Sequence, residues 1–356
     1  MKDITNSAMI QLCMLAALLV LPACLLARVK YDVTVAQDGT GNFRTVQAAV
    51  DAAPANRTTP WTIYIKPGVY VEHVDIPKNK PHLGFVGESR DRVRITNSRL
   101  CGGENAYHPK EGATVVAHAA DLYFQDISFE NGWGVQQKKG PQALALYTMG
   151  DRTVIYHCGL YSFQDTYLTT PDAKSRHYLK DCIIEGAVDF IYGQGNVLFD
   201  DCIINIVKRS GGWIVAPCHV PETEWGYVFL NATITAPGNP EETTVWLGRP
   251  WHQTPKTVFI NTKALVNIPA EGWYDHMGGL PALWADYNTR RADGTEVGLD
   301  KRRDTYYYME KDGKKVYGKA KNRLTAVEAA RYTVKNVMSG SDGWNPQTII
   351  KKYLEK

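Results

Sequence analysis

The chain has 356 residues, of which 44% are hydrophobic and 22% charged, and its formal net charge is +3. These values are ordinary for a globular protein and exclude collagen-like, coiled-coil and largely disordered chains. The small basic excess, with no Lys/Arg run above three residues, excludes a nucleic-acid-binding footprint and is compatible with an acidic polymer as substrate. The length fits either two compact domains or one elongated all-β domain.

The N-terminal segment predicts a secretory leader. An uncharged, almost wholly apolar stretch is broken at Pro22, and small residues up to Ala27 offer cleavage points. We therefore expect residues 1–27 to be a signal peptide, residues 28–356 to form a single domain, and the protein to be secreted. A retained membrane anchor and a lipid-modified Cys24 are the alternatives.

Five cysteines follow the expected leader, and two sequons, at Asn56 and Asn231, would accept glycans in a eukaryotic source. Secretion permits disulfide bonds. Because five is an odd number and sparse for this length, at most two bridges form and at least one thiol stays free.

The first element with helical periodicity covers residues 45–53, which place Val46, Ala49 and Val50 on one face before a proline. A capping box at 325–328 predicts a second helix that continues to about residue 334. Both helices are expected to cover the ends of the fold. The charged stretch 290–321 is expected to be an irregular, solvated excursion.

Between these helices, internal repeats predict the fold. Asp-Cys-Ile-Ile occurs at 181–184 and again at 201–204, and a second series of short apolar runs interleaves with this one. Short strands recurring about every 20–30 residues predict an all-β solenoid, in which each coil adds one strand to each of several parallel sheets. A β-sandwich is the alternative, and it would show hairpin turns about every 8–12 residues.

Equivalent positions of neighbouring coils lie about 4.8 Å apart in such a stack. Cys182 and Cys202 would then be neighbours at a spacing that suits a disulfide bond. We expect this bridge, with Cys101, Cys158 and Cys218 left as thiols. Two buried thiols in a ladder are the alternative.

Polar residues recur beside the second strand series at offsets of about one coil. Gln142 precedes Ala-Leu-Ala-Leu, Gln164 and Asp165 precede Thr-Tyr-Leu, and Asp189 precedes Phe-Ile-Tyr. Their side chains are expected to stack on one sheet surface, about 5 Å apart. Arg249 lies two coils further on. The aromatic residues at the fringe of this surface are Tyr167, Phe190, Tyr192 and Trp251.

This combination predicts acyl transfer without Ser, Cys or a metal. Two carboxylates at this distance drive their pKa values apart, and an arginine beside one of them keeps that one ionised and nucleophilic. The other carboxyl can act as a general acid, and the two amides can donate to an oxyanion. A polar ladder that only stabilises the solenoid is the alternative.

At these residues the chain resembles the pectinesterase (pectin methylesterase) family, over nearly all of the expected mature chain. The similar segments are 35–47, 68–72, 142–145, 164–166, 189–191 and 247–251. The family usually has Leu and Phe where this chain has Tyr167 and Tyr192, which bears on subsite preference. The Cys182/Cys202 pair and the lack of an inhibitory pro-region look more like bacterial-type members than plant ones.

The resemblance implies a right-handed parallel β-helix that hydrolyses the C6 methyl esters of homogalacturonan to pectate and methanol, with no cofactor and no metal. By position it implies that Asp189 is the nucleophile and that Asp165 is the general acid and base. Gln142 and Gln164 would hold the oxyanion, and Arg249 would orient Asp189. The residues implied to line the sugar groove are Thr114, Tyr167, Phe190, Tyr192 and Trp251.

We expect a monomeric extracellular enzyme of pectin modification or degradation, with methylated homogalacturonan as its partner and neither nucleic acid nor an obligatory protein. Other functions fit the same scaffold. A pectate lyase would need a cluster of acidic Ca²⁺ ligands, and a polygalacturonase would release reducing ends. A non-catalytic sugar-binding relative would have lost an aspartate or the arginine, and an esterase of the cell envelope would act on another ester.

Overall fold

The computed structural model describes residues 31–355, and the expected signal peptide lies outside the described residues. Its strands form three long parallel sheets, and each coil of the chain contributes in turn to sheet A, sheet B and sheet C. The described part is therefore a parallel β-helix, as the repeats predicted. No helix within residues 31–355 is long and apolar enough to cross a membrane.

The strands of sheet A are Val33–Val35, Trp61–Ile65, Leu83–Gly87, Tyr123–Gln125, Thr153–Tyr156, Arg176–Lys180, Asn196–Asp200, Tyr227–Leu230, Lys256–Ile260, Leu283–Tyr287 and Lys321–Arg323. The strands of sheet B are Gly68–Val71, Val93–Asn97, Ser128–Asn131, Gly159–Tyr161, Ile183–Gly186, Ile203–Ile206, Thr233–Thr235, Lys263–Ala264 and Arg290–Arg291. The strands of sheet C are Val74–Ile76, Val115–Ala117, Leu146–Thr148, Tyr167–Leu168, Val188–Gly193, Ser210–Pro217 and Thr244–Gly248.

The turn from sheet A to sheet B explains the repeated Asp-Cys-Ile-Ile. In successive coils one residue of this turn has a positive φ between 51° and 57°. Asn, Asp and His tolerate that conformation better than other residues with a Cβ atom, because Asn and Asp side chains bond locally. The residues at this position are Asp126, His157, Asp181, Asp201, Asn231, Asn261 and Asn288.

The cysteine after this turn points into the core, and here the structure differs from the predicted disulfide. Cys182 and Cys202 stack in neighbouring coils as expected, but both are free thiols. The Cys182 thiol donates to the Ile155 carbonyl over 3.3 Å. Cys158 occupies the same position one coil earlier, so the one-coil offset does not single out one pair. The structure thus contains the alternative, a ladder of buried thiols.

Helix α1 (Val46–Ala52) begins at the Thr45 cap and covers the N-terminal end of the core, as predicted. The other short helices are α2 (Pro109–Gly112), α3 (Gly132–Gln137), a 3₁₀ turn (Pro240–Glu242), α4 (Ala326–Ala329), α5 (Val334–Met338) and α6 (Pro346–Leu354).

The predicted C-terminal helix is wrong in length and place. The capping box of Thr325 and Glu328 is present, but α4 has four residues and a new N-cap at Thr333 starts α5. The segment from α4 to α6 packs on the outer surface of sheet A, against residues such as Tyr178 and Leu198. A single covering helix could not bury this long flat surface, which three short helices follow.

The charged stretch 290–321 is also more ordered than predicted. It contains an antiparallel hairpin, Thr305–Met309 with Lys315–Lys319, which pairs with His276–Met277 to form a small sheet D. Tyr306 turns inward and packs on Trp284, which stacks on Trp273 at the end of the core. The hairpin therefore supplies the C-terminal cover that the sequence had assigned to a helix.

A buried histidine predicts a loss of stability in acid. Burial lowers the pKa of His177 to about 4, whereas the unfolded chain takes up this proton near 6.5. Its contribution to stability is therefore complete above pH 6.5 and is lost as the pH falls through 4, by roughly 3 kcal/mol. Denaturant titrations at several pH values should show a shallower decline for His177→Asn than for the wild type. The exposed His108→Asn should follow the wild type, and an unchanged slope for His177→Asn would contradict the assignment.

Candidate active site

The two aspartates singled out by spacing are neighbours at the start of sheet C. Gln164 pairs with Val188 and Tyr167 with Ile191, so Asp165 and Asp189 occupy equivalent positions of adjacent coils. Adjacent strands lie about 4.8 Å apart. The offset of 24 residues therefore predicted this contact correctly.

Both aspartates have a left-handed backbone, with φ of 62° at Asp165 and 49° at Asp189. At Asp189 the strand register shifts between Val188 and Ile191, which marks a bulge. Such irregularities recur beside active sites because they re-aim a side chain.

The outer surface of sheet C carries a ladder of side chains beside this pair. Tyr147, Leu168, Tyr192 and Ala216 stack in register and form a cluster separate from the main core. Trp251 packs edge-on against Tyr192, with ring centroids 5.6 Å apart. Tyr192 and Trp251 are thus placed where the sequence predicted an aromatic fringe, whereas Tyr147 was not anticipated.

Arg249 continues this ladder, because Gly248 pairs with Val215 one coil earlier. Its guanidinium reaches back to Asp189 and binds both carboxylate oxygens, with Nε donating to Oδ1 over 2.8 Å and Nη2 donating to Oδ2. A planar fork of this kind fixes the orientation of a carboxylate.

The ring of Trp213 also packs against the Arg249 guanidinium. The Arg249 Cζ atom lies 3.9 Å from the centre of this ring, a cation–π contact. Sequence reasoning did not assign Trp213 to the site. The available signal was its place in the strand series, one coil before Arg249.

The surroundings separate the two carboxyl groups electrostatically. Asp165 is 9% exposed and Asp189 is 7% exposed. Burial raises the pKa of Asp165 well above its ordinary value, and the charge of Asp189 raises it further, against a hydrogen bond from Tyr192. Burial also raises the pKa of Asp189, but the hydrogen bonds and charge of Arg249 oppose that rise. Asp189 is therefore the better anion and Asp165 the better proton donor.

Gln164 lies directly before Asp165 in the chain, and Gln142 lies one coil earlier. Within residues 31–355, neither side-chain amide forms a hydrogen bond with the protein, so their N–H groups are open to a ligand. Each amide packs closely on a glycine. A Cβ atom added to Gly102 would lie only 1.7 Å from Gln142 Oε1, and a Cβ atom added to Gly140 would lie 2.5 Å from Gln164 Oε1, so a larger residue would not fit at either position. Leu146 pairs with Tyr167, an offset of 21 residues between these two coils. Gln142 and Gln164 are 22 residues apart, so they are not directly opposite each other, contrary to the sequence prediction.

Three expected groove residues face the interior instead. Thr114 is fully buried and its hydroxyl donates to a main-chain carbonyl over 2.8 Å. The hydroxyl of Tyr167 lies 2.9 Å from that of Thr148, and Phe190 is wholly inside the core. Tyr167 pairs with Ile191 on the inner side of sheet C, whereas the next residues in register, Leu168 and Tyr192, belong to the outer cluster.

Taken together, the arrangement holds an oriented carboxylate, a neighbouring carboxyl of raised pKa and free amide donors on one open surface. These are the parts that nucleophilic acyl transfer requires.

Comparisons with known proteins identify the family. The pectinesterase family model matches residues 32–341. A pectinesterase/pectinesterase inhibitor of Arabidopsis thaliana is 32% identical over 329 residues, which is 90% of this chain and 52% of that protein. A pectinesterase of Petunia integrifolia is 31% identical over 78% of this chain and 74% of its own length. The chain thus spans only about half of the Arabidopsis relative.

Solved structures give the same result. Carrot pectin methylesterase superposes with a TM-score of 0.74 at 26% identity, covering 90% of this chain and 97% of that one. Pectin methylesterase from Erwinia chrysanthemi gives 0.67 at 25% identity, covering 89% and 98%. The predicted right-handed parallel β-helix is confirmed by these neighbours. The plant relatives do not support the expected affinity to bacterial-type members. With its matching family model and its identity to curated relatives, the chain belongs to the pectinesterase family.

Proposed function

We propose that the protein hydrolyses the C6 methyl esters of homogalacturonan, releasing methanol and leaving pectate. The observation that carries this proposal is the two-pronged contact of Arg249 with Asp189 beside the buried Asp165. Family membership supports the reaction, and a pectin methylesterase at 25% identity has been solved with a hexasaccharide, which supports a sugar polymer as substrate.

In the proposed mechanism, Asp189 attacks the ester carbonyl carbon, and the resulting oxyanion accepts hydrogen bonds from Gln142 and Gln164. The carbonyl re-forms as the C–O bond to the methoxy group breaks, and Asp165 donates its proton so that methanol leaves. Asp165, now a carboxylate, takes a proton from water, which attacks the acyl-enzyme. The product leaves as the carboxylic acid, which loses its proton to solvent, and Asp189 is regenerated as a carboxylate.

Methanol release from methylated pectin tests the activity, with Asp189→Ala as the inactive counterpart. Asp91→Asn is the matched control, because its side chain is 86% exposed on another surface. Methanol without new reducing ends or unsaturated products supports the esterase. New chain ends without methanol would instead identify a polygalacturonase or a lyase. If the protein reacts with no pectin, the remaining interpretation is a non-catalytic sugar-binding protein.

The oxyanion assignment predicts a loss of turnover for each glutamine. Gln142→Ala and Gln164→Ala should each reduce kcat by about 10²–10³-fold, as removal of one oxyanion donor does elsewhere. Each variant should keep the melting temperature of the wild type, because neither amide bonds to the described protein. A rise in KM with unchanged kcat would make these residues substrate-positioning groups only.

Arg249→Lys should fail to rescue the function of the arginine. The hydrogen bonds and charge of Arg249 hold the pKa of Asp189 down, and a point charge lacks the planar fork. With lysine, Asp189 should become protonated at a higher pH, so the acidic limb of the kcat/KM profile should move upward. The exposed Arg92→Lys serves as control, and an unmoved acidic limb would contradict the role of Arg249.

We also propose that the protein acts outside the cell as a monomer, that residues 1–27 are removed, and that residues 28–356 work as one domain. The support is the sequence of the leader and the cell-wall location of the proposed substrate. The secreted protein should begin between residues 24 and 31 by N-terminal sequencing and should elute as a monomer. A product that retains Met1 and sediments with membranes would contradict secretion.

A further inference from the structure

The hairpin of sheet D carries a small excess of lysines. Residues 305–319 contain four Lys and two acidic residues, a net charge of +2. Lys311, Lys314 and Lys315 are exposed and form no ion pair within residues 31–355, whereas Lys319 pairs with Asp304. Exposed cations of this kind form a surface suited to an anionic ligand.

One face of this hairpin is aromatic and open. Tyr307 pairs across the strands with Tyr317, and Met309 pairs with Lys315. Tyr317 is 61% exposed and Met309 is 55% exposed. The Lys315 ammonium lies 4.2 Å from the centre of the Tyr307 ring, so a cation is held beside the aromatic surface.

This face is joined to the catalytic groove by a continuous series of rings. Tyr274 follows Arg249 in the outer ladder of sheet C, because Trp273 pairs with Gly248. Its ring centroid lies 5.4 Å from that of Trp213 and 5.1 Å from that of His276. The series continues from His276 to Tyr307 over 4.6 Å and from Tyr307 to Tyr317 over 5.7 Å. We call Trp213, Tyr274, His276, Tyr307 and Tyr317 the aromatic row.

We propose that the outer part of the aromatic row, with the hairpin lysines, binds a stretch of anionic sugar polymer that extends from the catalytic groove. Sugar rings present C–H faces that pack on aromatic rings, and lysines bind the carboxylates between them. This proposal rests on the proposed function, because de-esterified homogalacturonan is such a polymer. The hairpin would hold the free-acid stretch while an ester lies at Asp189.

A single-stranded nucleic acid also combines charge with stacking faces. The polyuronate is favoured because the row leads directly to the Arg249–Asp189 pair, whereas nucleic-acid binding would not need that continuity. The consequence is a preference for partly de-esterified polymer, since a fully methylated chain offers no carboxylates to the lysines.

Two surface variants test the hairpin. Tyr317→Ser removes an exposed ring and Lys315→Glu reverses a charge, and neither side chain is part of the core. Lys352→Glu on α6 makes the same charge change on the far side of sheet A and serves as control. Binding to long polygalacturonate, to fully methylated pectin and to single-stranded DNA is measured by titration calorimetry, beside methanol release from a long, partly methylated pectin.

Each hairpin variant should bind polygalacturonate about fivefold or more weakly and raise KM for the long pectin by a similar factor, with kcat retained. The control should match the wild type in both assays. If both hairpin variants keep the wild-type affinity for polygalacturonate and the wild-type KM, the proposal is overturned. Methanol release by the wild type would still support the esterase activity in that case. If the wild type binds DNA more tightly than polygalacturonate, and the same variants lose this binding, the hairpin is a nucleic-acid-binding surface and the proposal is overturned. If the wild type releases no methanol, the esterase fails, and the polygalacturonate titration alone decides the hairpin.

Discussion

Asp189→Asn should reduce methanol release by about 10⁴-fold or more, the scale of loss seen when a catalytic nucleophile is removed. The amide cannot form the acyl-enzyme, although it is nearly the same size as the carboxylate and can still contact Arg249. Turnover of methylated pectin, measured together with the melting temperature, checks the result.

The matched control for this change is Asp200→Asn in sheet A. Asp200 is equally buried, with 7% of its surface exposed, and accepts a hydrogen bond from Tyr178 over 2.6 Å. That variant should lose stability but keep its turnover per folded molecule. Near-wild-type turnover in Asp189→Asn would mean that the nucleophile is misassigned and that Asp165 takes this role or the pair is only structural.

Asp165→Asn should slow the reaction by about 10²–10⁴-fold, the usual range for a general acid and base. Asp189 can still attack, but methanol must leave without a proton and water must attack without a base. Burial and the charge of Asp189 raise the pKa of Asp165. As the proton donor, Asp165 should set the basic limb of the wild-type kcat/KM profile, and this limb should vanish in the variant.

An ester with a more acidic alcohol separates this role from a structural one. Such a leaving group needs less protonation, so the acylation defect of Asp165→Asn should shrink markedly. An equal defect with both esters, or a basic limb that stays in place in the variant, would contradict the assignment of Asp165 as the proton donor.

The candidate site shows how far spacing alone can reach. The offset between Asp165 and Asp189 was sufficient to predict their contact, because every coil advances by one strand spacing and brings equivalent residues together. The same argument placed Cys182 and Cys202 in neighbouring coils and predicted a bridge between them, whereas both are free thiols and Cys158 joins the same ladder. It also missed Trp213, since Arg249 folds back over a coil between itself and Asp189 and no periodicity reports such a contact.

The sequence by itself determined the solenoid, the first helix (predicted at 45–53 and observed at Val46–Ala52), the stacked aspartates and the family, because all of these depend on period and local motif. Only the tertiary structure decided that Tyr167 and Phe190 face inward, since both side chains join the core cluster and spacing along the chain does not say which of two adjacent side chains enters the core. The same holds for the hairpin at 305–319 and the C-terminal helices. These segments have no repeat, so their positions depend on which surface each can bury: the open end of the core for the hairpin and the outer surface of sheet A for the helices.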